Sequence, residues 1–208
     1  MTVTDSAIIL SRAVWRESDK RVVFYSLQHG KVDAVAVGAS KIRSKLSGHL
    51  EPLRVVEVMF AEGKNGYKIA QCVTQHNFVE RPIDVERVQM MGTVARLVEH
   101  SVELGHKDVK LYELLFGTLA ALEASVQEDL EIVFGAKLLS LATYFGYAPE
   151  LNVCVLCGSA EHLTRFSPEH GGVICINERV QEKTMAYDVA PEKLQSFLMT
   201  FLRWRALI

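Results

Sequence analysis

The hydrophobic pattern of this chain changes its period once, near Pro82, and this change limits the fold more than any other feature. Before it, apolar and β-branched residues form short runs separated by turn signals, which is typical of strands. After it, apolar residues recur at three- and four-residue steps, which is typical of amphipathic helices. The pattern therefore predicts an α+β chain, with a β-domain over residues 1–80 and a helical domain over residues 81–208.

Five strand-like runs fill the first segment. They are Ala7–Val14, Arg21–Leu27, Val32–Val37, Leu53–Phe60 and Tyr67–Thr74. Five short strands with closely spaced turns indicate a small closed barrel, and this order fits a five-stranded OB-fold, although any small antiparallel β-domain fits it too. The second segment predicts helices over Val85–Val102, Val109–Ala124, Leu130–Phe145 and Pro191–Leu207.

Positive charge is concentrated in the first segment, since residues 1–80 have a net charge of +3 and residues 81–208 one of −5. An OB barrel binds single strands through a cationic groove and exposed aromatic rings on which bases stack. The candidate DNA-binding cations are Arg12, Arg16, Lys20, Arg21, Lys31, Lys41, Arg43 and Lys45. The candidate stacking residues are Trp15, Phe24, Tyr25 and Tyr67, except where they face the core. Most surface lysines are simply solvated, but the three cations within residues 41–45 favour phosphate contact.

Three of the four cysteines lie within 22 residues of one another. Cys154 and Cys157 form a Cys-x2-Cys turn, whose thiolates can approach one tetrahedral ion, and Cys175 follows on a second segment. A second Cys-x2-Cys would end at residue 178, where the chain has a glutamate. The spacing indicates a structural zinc site formed by the three cysteines. The candidates for the fourth ligand are Glu178, His170 and His162.

Two other interpretations of the thiols stay open. Either the site has lost its metal and the thiols are merely packed, or three ligands and a water form a catalytic zinc site. A catalytic site generally has an acid or base nearby, and the chain has no His-Glu-x-x-His sequence. Phosphate-binding loops and the serine-hydrolase elbow are absent too, so we expect a protein that is not an enzyme.

The chain has no recognisable export or membrane signal. Its first ten residues lack the basic region of a signal peptide, and no apolar run approaches the ~20 residues that span a bilayer. Four cysteines without an export signal favour reduced thiols. We therefore expect a cytoplasmic protein with no membrane partner.

Three segments carry sequence motifs that are more specific than the thiols themselves. They are residues 37–53 after the third strand, residues 138–158, which lead through Gly-Tyr-Ala-Pro-Glu-Leu into the Cys-x2-Cys turn, and residues 166–175, Phe-Ser-Pro-Glu-His-Gly-Gly-Val-Ile-Cys. Through these segments the chain resembles the RecO family of bacterial recombination mediators.

The resemblance implies an OB-fold joined to a helical domain with a Cys-rich, zinc-finger-like insert at about residues 150–180. It implies binding of single- and double-stranded DNA, and annealing of complementary strands, including those coated by single-strand binding protein. With RecR, such a protein helps to load RecA onto coated strands at the nucleoid, without bond-making catalysis. Some family members hold zinc through a second Cys-x2-Cys, and others lack the metal. The alternative functions are a zinc-dependent nucleic-acid hydrolase and a scaffold that binds only proteins.

Overall fold

The computed structural model describes residues 2–41, 44–63, 66–79, 83–167, 169–177 and 187–188. Its contacts divide the chain into two compact units, Met1–Ser125 and Val126–Ile208. The first unit contains a β-barrel followed by helices, and the second contains a helix and a small sheet. None of the described helices has the length and apolar character needed to cross a bilayer.

Five strands form a closed barrel in the first unit. They are β1 (Thr2–Val14), β2 (Lys20–Ser26), β3 (Gly30–Ala36), β4 (Arg54–Gly63) and β5 (Gly66–Asn77). The strands pair in the order β1-β2-β3-β5-β4, and β4 also pairs with β1. All pairs are antiparallel except β3 with β5, which meet in parallel at Ala34↔Tyr67 and Val35↔Lys68. The arrangement confirms the predicted five-stranded OB-fold.

The first strand is buried on both of its faces, which explains its unbroken apolar run. Ala7 and Ile9 belong to the core of the barrel. Side chains alternate along a strand, so Ile8 points to the opposite face. It is nevertheless fully buried, and helix α1 (Val85–Ser101) contacts β1. The barrel and the first helix therefore share one packed interface.

Each of the two described α-helices of the first unit begins after an aspartate that caps it. The Asp84 carboxylate accepts the Arg87 backbone N–H at 3.1 Å at the start of α1. Helix α2 (Val109–Ala124) begins after Asp108, which accepts the Lys110 N–H at 2.8 Å. Such caps satisfy N–H groups that have no partner inside the helix. Both helices lie where the apolar periodicity predicts them.

Two cations bind the carbonyl ends of these helices. Arg87 Nη1 donates to the Ser125 carbonyl at 2.9 Å and to that of Leu122, so α1 is tied to the end of α2. Lys31 Nζ on β3 donates to the Val102 carbonyl at 2.9 Å, just after α1. Because these bonds lie within one compact unit, a domain boundary near residue 80 stays a prediction from the change of period.

The second unit is built around helix α3 (Leu130–Tyr144) and a three-stranded sheet. The strands are β6 (Leu163–Ser167), β7 (Gly172–Cys175) and β8 (Tyr187–Asp188), in the order β7-β6-β8. Leu139, Leu151 and Val173 form a small core beneath the β6–β7 hairpin. The helix predicted over Pro191–Leu207 lies outside the described residues.

Candidate nucleic-acid interface and candidate metal centre

Two loops are tied together at one end of the barrel. Residues 15–19 join β1 to β2, and residues 37–41 follow β3. The Gly38 N–H donates to Asp19 Oδ1 at 2.8 Å, and the Ser40 N–H donates to the Ser18 carbonyl at 2.9 Å. We call these two loops, with the first residues of β2, the basic end of the barrel.

Four predicted cations belong to this basic end or to the chain that leaves it. Arg16 and Lys41 are exposed and Lys20 is half-buried, while Lys45 is exposed further along the β3–β4 connection. The Ser44 N–H donates to the Lys41 carbonyl at 2.9 Å. Within the described residues, no carboxylate pairs with any of these four cations. Arg43 lies outside the described residues.

Arg21 is a cation of the same end whose charge is already paired. Its Nε donates to Asp33 Oδ1 at 2.8 Å and to Oδ2 at 2.7 Å, and its Nη2 also donates to Oδ2. The hydrogen bonds and charge of Asp33 raise the pKa of Arg21. The guanidinium carbon lies 5.1 Å from the ring centroid of Trp15, in a cation–π arrangement. Arg21 therefore links a carboxylate to an aromatic ring.

Lys68 is a cation of this surface that the sequence did not single out. In the barrel Val35 pairs with Arg21 on one side and with Lys68 on the other. Lys68 is exposed on β5, and alternation with the buried Ile69 predicts its outward direction. Only the parallel β3–β5 pairing, which no local pattern encodes, brings it level with Arg21.

Two other predicted cations are occupied elsewhere. Arg12 Nη2 pairs with Glu51 Oε2 at 2.8 Å. Lys31 binds carbonyls at the end of α1, as described above. It also lies five residues from Ala36 along β3, which is about 17 Å at ~3.3 Å per residue. Lys31 is therefore separated from the basic end by most of the length of the strand.

The four aromatic candidates separate clearly by exposure. Phe24 and Tyr25 are fully buried, whereas Trp15 is 48% exposed and Tyr67 is 36% exposed. Phe24 enters the barrel core, and the Tyr25 hydroxyl donates to the Asp108 carbonyl at 3.3 Å. Burial raises the pKa of Tyr25 to about 12. Only Trp15 and Tyr67 offer a ring to a ligand among these four.

The three clustered cysteines meet in the second unit. Their Sγ atoms all lie within 4.8 Å of one another, and those of Cys157 and Cys175 are 3.6 Å apart. Cys154 and Cys157 lie on a tight turn, in which the Gly158 N–H donates to the Cys154 carbonyl at 2.8 Å. Gly158 has a φ of +76°, a conformation that favours glycine. Cys175 ends β7, and the Val155 N–H of the turn donates to the Val173 carbonyl of that strand at 2.9 Å, which brings the two segments together.

The environment of these sulfurs favours one thiolate. Burial acts to raise the pKa of Cys154, but the backbone N–H groups of Cys175, Cys157 and Leu156 donate to its sulfur, and the net pKa falls to about 7. The Ser159 N–H acts to lower the pKa of Cys157, but the neighbouring Cys154 and Cys175 thiols raise it to about 11. A shared thiolate cluster of this kind is a suitable ligand set for a borderline-soft metal ion.

The three thiols could hold a metal ion. Among the described residues, this is the only group of three or more possible metal ligands that lie close together. His162 and His170 are both exposed and outside the group. His170 Nδ1 instead lies 3.0 Å from Ser167 Oγ. Glu178 lies outside the described residues. The thiols thus supply three of the four positions of a structural zinc site.

Comparison with known proteins assigns both segments of the chain to one family. Residues 1–78 match the family model "Recombination protein O N terminal", and residues 84–198 match "Recombination protein O C terminal". The DNA repair protein RecO of Thermoanaerobacter sp. (strain X514) is 32% identical over 173 residues, which cover 82% of this chain and 68% of the relative.

Two further relatives extend the match. The DNA repair protein RecO of Nocardioides sp. is 35% identical over 188 residues, which cover 86% of this chain and 75% of that protein. The protein of the same name from Alkaliphilus metalliredigens is 27% identical over 201 residues, which cover 96% of this chain and 81% of that protein. The predicted resemblance is confirmed, and the chain belongs to the RecO family of DNA repair proteins.

Proposed function

We propose that this protein is a recombination mediator that binds single- and double-stranded DNA and anneals complementary strands. With RecR it helps to load RecA onto strands coated by single-strand binding protein, in the cytoplasm at the nucleoid. The observation that carries this proposal is the basic end of the barrel, where two loops are tied together and carry cations that have no carboxylate partner among the described residues.

Annealing by such a surface needs no bond-making step. Two phosphate backbones repel each other, and cations that contact both reduce the repulsion while counterions are released. Arg16, Lys20, Lys41 and Lys45 have their charges available for this role, and Lys68 extends the row across β5. Glu17 and Asp19 lie between Arg16 and Lys20 in the sequence and keep their negative charges, but within the described residues neither forms a salt bridge with these cations.

The remaining predicted cations have a smaller part in the proposal. Arg12 and Arg21 can bind a phosphate only by leaving Glu51 and Asp33. The loss of these ion pairs offsets part of the binding free energy of the new phosphate contacts. Lys31 can do so only by leaving the Glu99 and Val102 carbonyls at the end of α1. We therefore assign the main phosphate contacts to the unpaired cations and secondary ones to these three.

Charge reversal of Lys41, Arg43 and Lys45 tests the proposed interface. We expect the triple glutamate variant to bind single strands more weakly and to anneal complementary strands more slowly, because like charges then face the phosphates. Circular dichroism and a melting curve check that the variant is folded. Annealing at the unchanged rate by a folded triple variant would contradict the role of this segment.

We also propose that the thiol cluster holds a structural zinc, with Glu178 as the fourth ligand. Bound metal would supply a cross-link between the turn at Cys154 and the end of β7, which is its usual contribution in small sites. Elemental analysis of the purified protein should then find close to one equivalent of zinc, and a chelator should lower the melting temperature. Less than about a tenth of an equivalent, with no chelator effect, would mean that the site has lost its metal.

One assay separates the mediator from its alternatives. Labelled complementary strands are mixed with the protein, with and without single-strand binding protein and divalent metal. Faster annealing with intact strands supports the mediator. Cleavage of the strands would support a zinc-dependent hydrolase, and no effect on the strands would support a scaffold that binds only proteins.

A further inference from the structure

We infer that Trp15 is a preformed platform on which one unpaired base stacks, and that Asp33 positions it through Arg21. The inference rests on the proposed DNA-binding function and adds a substrate preference to it. A base can stack on the indole only when it is free of its own helix, so the platform selects single strands over duplex.

Asp33 holds the guanidinium of Arg21 by three hydrogen-bond contacts, which leave its plane little freedom. The side chain of Asp33 is only 16% exposed, whereas that of Arg21 is 46% exposed. The better-buried carboxylate is therefore the fixed partner, and the guanidinium extends from it toward the Trp15 ring, 5.1 Å away. Because its charge is already paired, Arg21 contributes orientation more than phosphate attraction.

The backbone beneath Trp15 is fixed as well. The Trp15 N–H donates to the Asp19 carbonyl at 3.0 Å, and the Asp19 N–H donates back to the Arg16 carbonyl at 3.3 Å. The Asp19 side chain in turn accepts the Gly38 N–H from the neighbouring loop at 2.8 Å. An exposed ring on a closed and anchored turn loses little conformational entropy when a ligand covers it.

The surroundings supply the rest of a single-strand site. Trp15 remains 48% exposed although the guanidinium lies over its ring. Arg16 follows it directly, and Lys20 begins the next strand. Cations beside an exposed aromatic ring are the combination that binds single strands without sequence preference, since every base has a π-face.

Fluorescence tests the platform directly, because the chain has two tryptophans, Trp15 and Trp204. A W204F variant leaves Trp15 as the sole tryptophan emitter. We expect a thymidine oligomer of about 20 nucleotides to quench this emission, because its bases can stack on the ring. An abasic oligomer with the same number of phosphates should still bind, as measured by the anisotropy of a label on it. It should quench the Trp15 emission little. A duplex at equal phosphate concentration should also quench little.

Affinity measurements give the second readout. W15A should bind the thymidine oligomer about 5- to 150-fold more weakly, which is the loss expected when one base no longer stacks. It should bind the abasic oligomer as tightly as the natural protein does. W15F should recover part of the loss in affinity, because phenylalanine keeps a ring face on which a base can stack.

Substitution of Asp33 distinguishes positioning from a merely structural role. D33N removes the carboxylate charge but keeps the shape of the side chain. We expect less quenching of Trp15 per bound oligomer, together with a steeper salt dependence, since the Arg21 charge becomes available to phosphate.

Unchanged Trp15 emission, while the oligomer binds with normal salt dependence, would overturn the platform and leave the proposed DNA binding intact. Equal losses of thymidine and abasic binding in W15A would overturn it as well. An absence of binding by both oligomers would overturn the platform and the proposed function together.

Discussion

Neutralising Lys41 and Lys45 together should reduce the salt dependence of single-strand binding by a calculable amount. Both side chains are exposed and, in the described part of the chain, have no carboxylate partner. The turn at Lys41 is formed by backbone groups, because its N–H donates to the Gly38 carbonyl at 3.1 Å and its carbonyl accepts the Ser44 N–H. Glutamine can retain these bonds, so the K41Q/K45Q variant should remove charge without removing the turn.

The expected size follows from counterion release. Each cation that neutralises a phosphate of a single strand adds about −0.7 to the slope of log affinity against log salt, so two cations account for about −1.4. Between about 50 and 200 mM salt, the natural protein should therefore lose about sevenfold more affinity than the variant.

Anisotropy of a labelled thymidine oligomer, measured across this range of salt, gives both slopes. K110Q is the matched control, because Lys110 is exposed on α2 and lies outside the basic end. Its slope should equal that of the natural protein. If the slope of a folded K41Q/K45Q variant also equals it, the two lysines do not contact phosphate and the assigned surface is wrong.

Three further predictions concern the elements that support the sites. Gly30→Ala should lower the free energy of unfolding by more than ~2 kcal/mol in urea titration, because its φ is +66° and a Cβ would lie 2.0 Å from the His106 carbonyl oxygen. Arg87→Met should cost about 2 kcal/mol in the same measurement, since charged hydrogen bonds to the carbonyl end of α2 are lost. Cys175→Ser should reduce bound zinc, measured by elemental analysis, to a small fraction of that in the natural protein, because only two sulfur ligands remain.

Each of these predictions has a control of similar chemistry. Gly92→Ala, in open space within α1, should stabilise the protein by about 0.5–1 kcal/mol, the opposite sign to Gly30→Ala. Arg96→Met, exposed on the same helix as Arg87, should change stability by less than ~0.5 kcal/mol. Cys72→Ala should leave bound zinc unchanged, since Cys72 belongs to the barrel core. Equal effects in a variant and its control would contradict the corresponding assignment.

The fold could be predicted from sequence where periodicity decides it, and less well where tertiary contacts do. The alternation of apolar and polar residues in β2 and β3, and the three- and four-residue spacing of apolar residues in α1, were sufficient to predict those elements. The first strand begins earlier than predicted, because Thr2–Ser6 has no apolar run, although Thr2, Val3 and Thr4 are β-branched residues that favour strands. Asp5 is nevertheless buried there, and its carboxylate accepts bonds from the Gln28 N–H and the Ser26 hydroxyl, which no local pattern shows.

The candidate sites show the same division. Spacing placed Cys154 and Cys157 on one turn, but Cys175 reaches them through a contact between distant segments, in which the Val155 N–H donates to the Val173 carbonyl of β7. The cations predicted from sequence include Lys31 and omit Lys68. Of these two lysines, only Lys68 shares the strand partner Val35 with Arg21. A lysine that binds helix carbonyls and one that faces solvent are identical in sequence, because their partners are distant in the chain.

The most direct test of the central claim is the rate of annealing of complementary strands coated by single-strand binding protein. We expect the natural protein to accelerate annealing at low salt, the K41Q/K45Q variant to accelerate it less, and the strands to remain intact. An annealing rate equal to that without the protein, at a concentration where the protein is folded, would contradict the account.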